Sequence, residues 1–249
     1  MSVKANFSND APIYKAYRPE YPDALFSYLA SLASSHELAW DCGTGNGQAA
    51  LGLISRFRSV IATDASHTQI AEALRNPQVQ YVIALAERTP LPGKSVDLVT
   101  VASAAHWLEH DPFFAEVKRV VRPGGVIACW TYHLQTVNPG VDEVVQRLYT
   151  DVLGPYWDAN VRYMEDGYTS LPFPFDEIAP PRFQLVQKWD LGRLANFLGT
   201  WSGSCAYRKM NNREPVDEVR EDLAAAWGDP QQQRDVTWNL YMRVGTVAG

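Results

Sequence analysis

The stretch Asp41-Cys42-Gly43-Thr44-Gly45-Asn46-Gly47 sets one carboxylate in front of three glycines at alternate positions. It follows the apolar run from Leu38 to Asp41 and precedes a helix-like segment from Ala49 to Phe57, which places it at a strand-to-helix turn. Glycine there lets the backbone approach a ligand closely, while the helix N-terminus offers N–H groups to polar ligand atoms. Gly45-Asn46-Gly47-Gln48-Ala49-Ala50, with acidic Asp64 about 20 residues on, satisfies a dinucleotide fingerprint, so an NAD(P)-dependent oxidoreductase is one reading. Asp41 argues against it, because a carboxylate just before the loop repels a pyrophosphate but can pair with the ammonium of an amino-acid tail. That charge favours S-adenosylmethionine as the ligand. Asp64 could accept both hydroxyls of a ribose, or serve merely as a negative charge at a helix N-terminus.

A second set of residues could handle a substrate. His106, next to Trp107, follows a fourth strand-like run, at the end of the sheet where open α/β folds bind ligands. It could hydrogen-bond an acid, act as base toward a hydroxyl or amine, orient a cofactor, or simply pack in the core. Trp130, Tyr132, Tyr156, Trp157, Tyr163, Tyr168 and Trp201 suit the lining of a pocket for an apolar or planar molecule, and core packing accounts for such side chains equally well. Arg162 stands among them, where a guanidinium could grip a carboxylate bidentately or lie solvated at the surface. Arg208 and Lys209 are vaguer candidates. The expected substrate contacts are Trp107, Trp130, Tyr132, Tyr156, Trp157, Arg162 and Trp201, with His106 as the catalytic candidate.

The elements that must position these residues alternate. Strand-like runs cover Leu38 to Asp41, Val60 to Thr63, Val79 to Ala84, Val96 to Ala102 and Val126 to Tyr132. Between them lie helix-like segments. One has Ser66 as N-cap and Ile70, Ala73 and Leu74 at helical spacing. Another is opened by Asp111-Pro112, carries Phe114, Val117, Val120 and Val121 on one face, and is stopped by Pro123-Gly124-Gly125. This order predicts an α/β, Rossmann-like fold: a mostly parallel sheet with helices on both faces. After Tyr132 the pattern breaks. Val141, Val144, Val145, Leu148 and Val152 mark a helix, and Gly154 to Pro181 reads as irregular and aromatic, a cap inserted over the sheet. A strand from Phe183 to Trp189, a helix from Pro215 to Trp227 and a strand from Val236 to Val244 follow, the last one open to antiparallel pairing. The expected division is a cofactor-binding core with an N-terminal arm at 1–133, a substrate cap at 134–181, and the rest of the core at 182–249.

Composition bounds the function. With 249 residues, 46% hydrophobic and 20% charged, the chain is an ordinary globular protein, and its net charge of -6 supplies no basic field for a nucleic acid. No apolar stretch is long enough to span a bilayer and the start lacks the apolar core of a secretory signal, so a cytoplasmic protein is expected. Cys42, Cys129 and Cys205 are too few and too scattered for a disulfide framework or a metal knuckle, so no metal is expected. The sequence leaves monomer or homodimer open, and a cofactor-retaining protein that moves no methyl group is the non-catalytic alternative.

Asp41-x-Gly43-x-Gly45, Asp64 after the second strand, Ala86-Glu87 after the third and Arg122-Pro123-Gly124-Gly125 before the fifth resemble class I S-adenosylmethionine-dependent methyltransferases. That resemblance implies a seven-stranded sheet with an antiparallel hairpin at one edge, and S-adenosyl-L-homocysteine as product. It places Asp41, Gly43, Thr44, Gly45 and Gly47 at the methionine moiety, Asp64 with Ala65 at the ribose, Ala86 and Glu87 at the adenine, and Ser103 beside the cofactor. A narrower resemblance runs over nearly the whole chain. Tyr14-x-x-x-Arg18-Pro19-x-Tyr21-Pro22, Ala105-His106-Trp107, Leu153-Gly-Pro-Tyr156-Trp157, Thr200-Trp201-Ser202 and Val236-Thr-Trp238-Asn239 are similar to the trans-aconitate methyltransferase family. It implies O-methylation of a carboxylate of a small organic acid, with Tyr14 and Arg18 over the methionine end of the cofactor and Arg162 on a substrate carboxylate.

Overall fold

The computed structural model describes residues 17–248. In chain order the elements are α1 (Asp23–Leu32), β1 (Leu38–Cys42), α2 (Gln48–Leu53), β2 (Ser59–Asp64), α3 (His67–Ala71), β3 (Val79–Ile83), β4 (Val96–Ala102), α4 (His110–Val120), β5 (Val121–Tyr132), α5 (Pro139–Arg147), α6 (Arg162–Glu165), β6 (Asp176–Ile178), β7 (Phe183–Trp189), α7 (Leu191–Gly199), α8 (Ser202–Asn211), α9 (Arg220–Trp227) and β8 (Arg234–Thr246). The sheet has eight strands in the order β3-β2-β1-β4-β5-β8-β6, with β7 also pairing β8. β1 to β5 are mutually parallel, and β8 runs antiparallel to β5 and to β6. The order reverses at β1 and β4, the kind of switch point where open sheets bind ligands.

The described chain divides into two compact units: residues 20–132, 162–183 and 240–248 form the sheet unit, and residues 17–19, 133–161 and 184–239 form the other. In the sheet unit β4 is buried along nearly its whole length, as an apolar run covered on both faces requires. Trp40, Val99, Val101, Phe113, Phe114, Ile127, Cys129 and Tyr168 meet in its core. In the other unit Trp189, Phe197 and Trp238 pack ring on ring, with centroids 4.9 to 5.3 Å apart.

Several boundaries differ from the sequence pattern. The first helix after the glycine turn stops at Leu53, short of Phe57. Val121, which the helical spacing assigns to α4, is instead the first residue of β5: it pairs with Val96, a register shift follows, and Pro123-Gly124-Gly125 lies within the strand, with Gly124 at φ +75°. Past Arg147 the helix relaxes into a π turn over Leu148–Val152. The segment from Pro215 starts as a 3-10 turn over Pro215–Val219 before α9 begins. The region read as irregular contributes β6 to the sheet.

Candidate functional site

Gly43, Gly45 and Gly47 all adopt left-handed backbone, with φ of +65°, +54° and +90°, a conformation that costs a residue with a Cβ about 1–2 kcal/mol. A side chain at Gly43 would also press within 2.7 Å of the Ala104 Cβ, and one at Gly47 would collide with the Tyr81 hydroxyl. That hydroxyl donates to the Leu74 carbonyl at 2.7 Å. Around Gly45 the nearest atom to an added Cβ is the Gln69 Oε1, 3.8 Å away, so the backbone there is open to a ligand.

Two carboxylates, Asp41 and the half-buried Asp64, hold this loop. Asp41 is fully buried, and its oxygens accept from Thr44 Oγ1 at 2.5 Å and Thr100 Oγ1 at 2.7 Å. Burial raises its pKa to about 6 against the pull of those hydroxyls. Asp64 accepts from the Gly45 N–H at 2.9 Å and the Ser66 N–H at 2.8 Å, tying the loop to the end of β2, and burial raises its pKa as well. Ser66 then caps α3 by accepting from the Gln69 N–H, while Ala65 is exposed. Ala86 is buried, and Glu87 accepts from the Glu109 N–H at 3.2 Å. Ser103, at φ +50°, donates its N–H to the Trp130 carbonyl at 2.7 Å and so joins the ends of β4 and β5.

His106 sits in a 3-10 turn, Ala105–Trp107, after β4. It is 2% exposed, its Nδ1 lies 2.9 Å from the Tyr168 hydroxyl, and its ring centroid is 4.6 Å from that of Trp107. Tyr168 also donates its N–H to the Tyr163 carbonyl at 2.7 Å. Tyr163 packs edge-on against His110 and carries the Arg162 guanidinium 5.0 Å above its ring. The Tyr163–Tyr168 segment therefore brings Arg162 into the same substructure as His106. In the same unit Trp130 packs edge-on against Tyr21 at 5.5 Å, and Tyr132 is buried at the end of β5. In the other unit Trp157 lies 4.6 Å from Tyr149 and 5.9 Å from Trp201, and Tyr156 lies 5.0 Å from Tyr207. There Arg18 donates to the Thr200 carbonyl at 3.3 Å and covers Phe197. Tyr14 lies outside the described residues. Arg208 pairs with Glu214.

Sequence reasoning missed some polar groups. Thr100 is a lone hydroxyl in a buried strand, which was its only signal, and Tyr168 gave none as the partner of His106. The buried polar atoms with no hydrogen-bond partner among the described residues include the Asn46 amide nitrogen in the glycine loop, the Trp130 indole N–H, and both atoms of the Gln135 amide. Also among those residues, no group of three or more His, Cys, Asp or Glu could hold a metal ion, and no helix is long and apolar enough to cross a membrane.

A family described as a methyltransferase domain matches residues 40–129, the stretch from β1 to β5 that carries the loop, Asp64 and His106. A Dictyostelium discoideum protein named as a methyltransferase is 32% identical over 244 residues, covering 95% of this chain and 92% of its own length. The chain belongs to the class I methyltransferases. A solved structure from Anaeromyxobacter dehalogenans, named as a type II methyltransferase, superposes with a TM-score of 0.86 at 44% identity, covering 93% of this methyltransferase and 99% of that chain. A Schizosaccharomyces pombe methyltransferase is 26% identical over 239 residues, 92% of each chain. The cofactor is S-adenosylmethionine. The residues present fit it: an open glycine turn, two acids at the ends of adjacent strands, and a buried amide donor at Asn46 that has no partner among the described residues.

Proposed function

We propose that the methyltransferase esterifies a carboxylate of a small organic acid, of the trans-aconitate kind that its sequence motifs resemble. The observation that carries this reading is the Tyr163–Tyr168 segment, which sets Arg162 and His106 on one substructure. Arg162 is exposed and, among the described residues, its guanidinium meets only Tyr163. It can therefore grip one carboxylate of a polyacid and decide which oxygen is presented for reaction. Trp107, Trp130 and Tyr132, in the same unit, supply aromatic surface for the rest of the acceptor. A net charge of -6 makes a nucleic acid a poor acceptor and leaves a small molecule as the fitting one.

Bound S-adenosylmethionine supplies an electrophilic methyl on sulfur. Asp64, with Ala65, takes the ribose hydroxyls; Ala86 and Glu87 flank the adenine. Asp41, the loop of Gly43, Thr44, Gly45 and Gly47, and Ser103 hold the methionine end. A carboxylate acceptor is already ionised at neutral pH, so the chain's task is alignment and exclusion of water, worth roughly 7 to 11 kcal/mol when orientation is good.

The test is transfer of labelled methyl to a panel of small acids, phenols and amines, followed by mild base. Label that appears only with acids and is released as methanol is the expected result. Base-stable label on a hydroxyl or amine overturns esterification.

A further inference from the structure

We propose that Thr100 is a positioning residue for the cofactor: its hydroxyl, reaching across from β4, keeps the Asp41 carboxylate charged and oriented for the ammonium of the methionine end, and so sets the lowest pH at which the cofactor is held. The pairing of β1 with β4 puts Asp41 directly beside Thr100. Both residues are fully buried, and the Thr100 Oγ1 donates to the Asp41 Oδ1 at 2.7 Å. A hydroxyl facing an ionised carboxylate has one direction open to it, since the carboxylate only accepts. Threonine is branched at Cβ, which stiffens χ1 and holds the hydroxyl where the strand puts it.

The other donors come from nearby in the chain. Oδ2 accepts from the Thr44 Oγ1 at 2.5 Å, and the Ala50 N–H also donates to the carboxyl. Thr44 and Ala50 lie on the glycine loop and on α2, which follow β1 directly, whereas Thr100 stands on a separate buried strand. The charged and titratable groups that bear on the carboxyl bring it no positive charge. Asp64 on β2 repels it, while Cys42 on β1 and Tyr81 on β3 are neutral, Cys42 pushed well above the ordinary thiol value and Tyr81 up to about 12. Among the described residues, hydrogen bonds alone therefore hold the ionised form against burial, and the ligand's ammonium is its first counter-charge.

No solvent touches Asp41, so taking away the Thr100 hydroxyl leaves Oδ1 short of a donor that water cannot replace. The protonated acid is then favoured, and the charge is lost at a higher pH than in the natural chain. Cofactor affinity follows the charge. This last step rests on the reading of Asp41 as the partner of the ammonium; the hold of Thr100 on the Asp41 proton is a property of the protein alone.

Two measurements on the full chain test this. Carboxyl 13C NMR of the unliganded protein follows the titration of Asp41, assigned by Asp41→Asn, and the midpoint in Thr100→Val should lie about one pH unit above that of the natural chain, the worth of one hydrogen bond. Calorimetry with S-adenosylhomocysteine gives the affinity ratio of the two chains at each pH, in which the titrations of the ligand and of Asp64 cancel. That ratio should run from about tenfold at pH 5 to near one at pH 8. Thr100→Ser, which keeps the hydroxyl, should match the natural chain at every pH, and Thr100→Ala takes the place of the valine variant should that chain not fold. An unmoved midpoint overturns the proposal, and an affinity lost equally at every pH then marks Thr100 as merely structural. A moved midpoint with a flat ratio overturns the cofactor role of Thr100 together with the reading of Asp41, while the hold of Thr100 on the Asp41 proton stands.

Discussion

The Asp41 carboxyl is fully buried, with two threonine hydroxyls in place of water. Its pKa rises from 3.8 to about 6, so between those values the folded chain holds a proton that the unfolded chain has released. Stability from this group therefore falls as pH climbs through that window, by about 3 kcal/mol in full, and stays reduced above it. Asp64 is raised as well and acts in the same direction. Urea unfolding at pH 4 and pH 7 should show that Asp41→Asn loses up to about 3 kcal/mol less than the natural chain between the two. A bound ammonium favours the ionised acid, so S-adenosylhomocysteine affinity should drop as pH falls below 6, and that dependence should fade in the Asn variant. Asp64→Ala should weaken the same ligand tenfold or more in calorimetry, as expected when hydrogen bonds to a charged group are lost, about 1.5–3 kcal/mol. An unchanged affinity in a folded variant refutes the ribose role. Asp41, Asp64 and the glycines are legible in sequence because their types and spacing are local. Thr100 is 59 residues from Asp41 and Tyr168 is 62 from His106, so sheet order and an aperiodic loop decide those pairings, and neither has a sequence signature.

At the level of elements, β1, β2, β4 and β5 stand out in the sequence because central parallel strands are apolar runs bounded by turns, and β3, at the edge of the sheet, still keeps enough apolar residues to be read. β6 does not: its three residues are exposed or half-buried, and it exists only because β8 offers an edge to pair with. Helix ends were harder to read. Val121 suits either the apolar face of α4 or the start of β5, and pairing with Val96 settles it. The turn into α2 depends on Gly47, whose backbone at φ +90° faces the Tyr81 hydroxyl from β3. Gly47→Ala should lower Tm through about 1–2 kcal/mol of backbone cost plus the displacement of Tyr81, at roughly 2–4 °C per kcal/mol for a chain of this size. Adding Tyr81→Phe should restore part of the loss in a thermal melt, because the colliding atom is gone. A double variant no better than the single one would show that backbone conformation alone sets the cost.

At the scale of the molecule, the chain passes from one unit to the other after Pro19, Tyr132, Val161, Phe183 and Asn239. Both units are therefore assembled from separated segments. β5 needs β8, which arrives more than a hundred residues later and pairs with it from Val126 to Tyr132. Residues 20–132 expressed alone should consequently lack a native sheet, leaving the apolar inner half of β5 as an open edge. Dispersed amide signals in proton–nitrogen NMR of that fragment, matching those of the full chain, would disprove this dependence. The interleaving also bears on descent. A single crossover between two related genes at any point upstream of Asn239 transfers pieces of both units at once, so neither can be inherited from a different parent as a whole. Shuffling cannot readily supply such a chain with a new unit, and lineages of this architecture are expected to diverge by substitution in place.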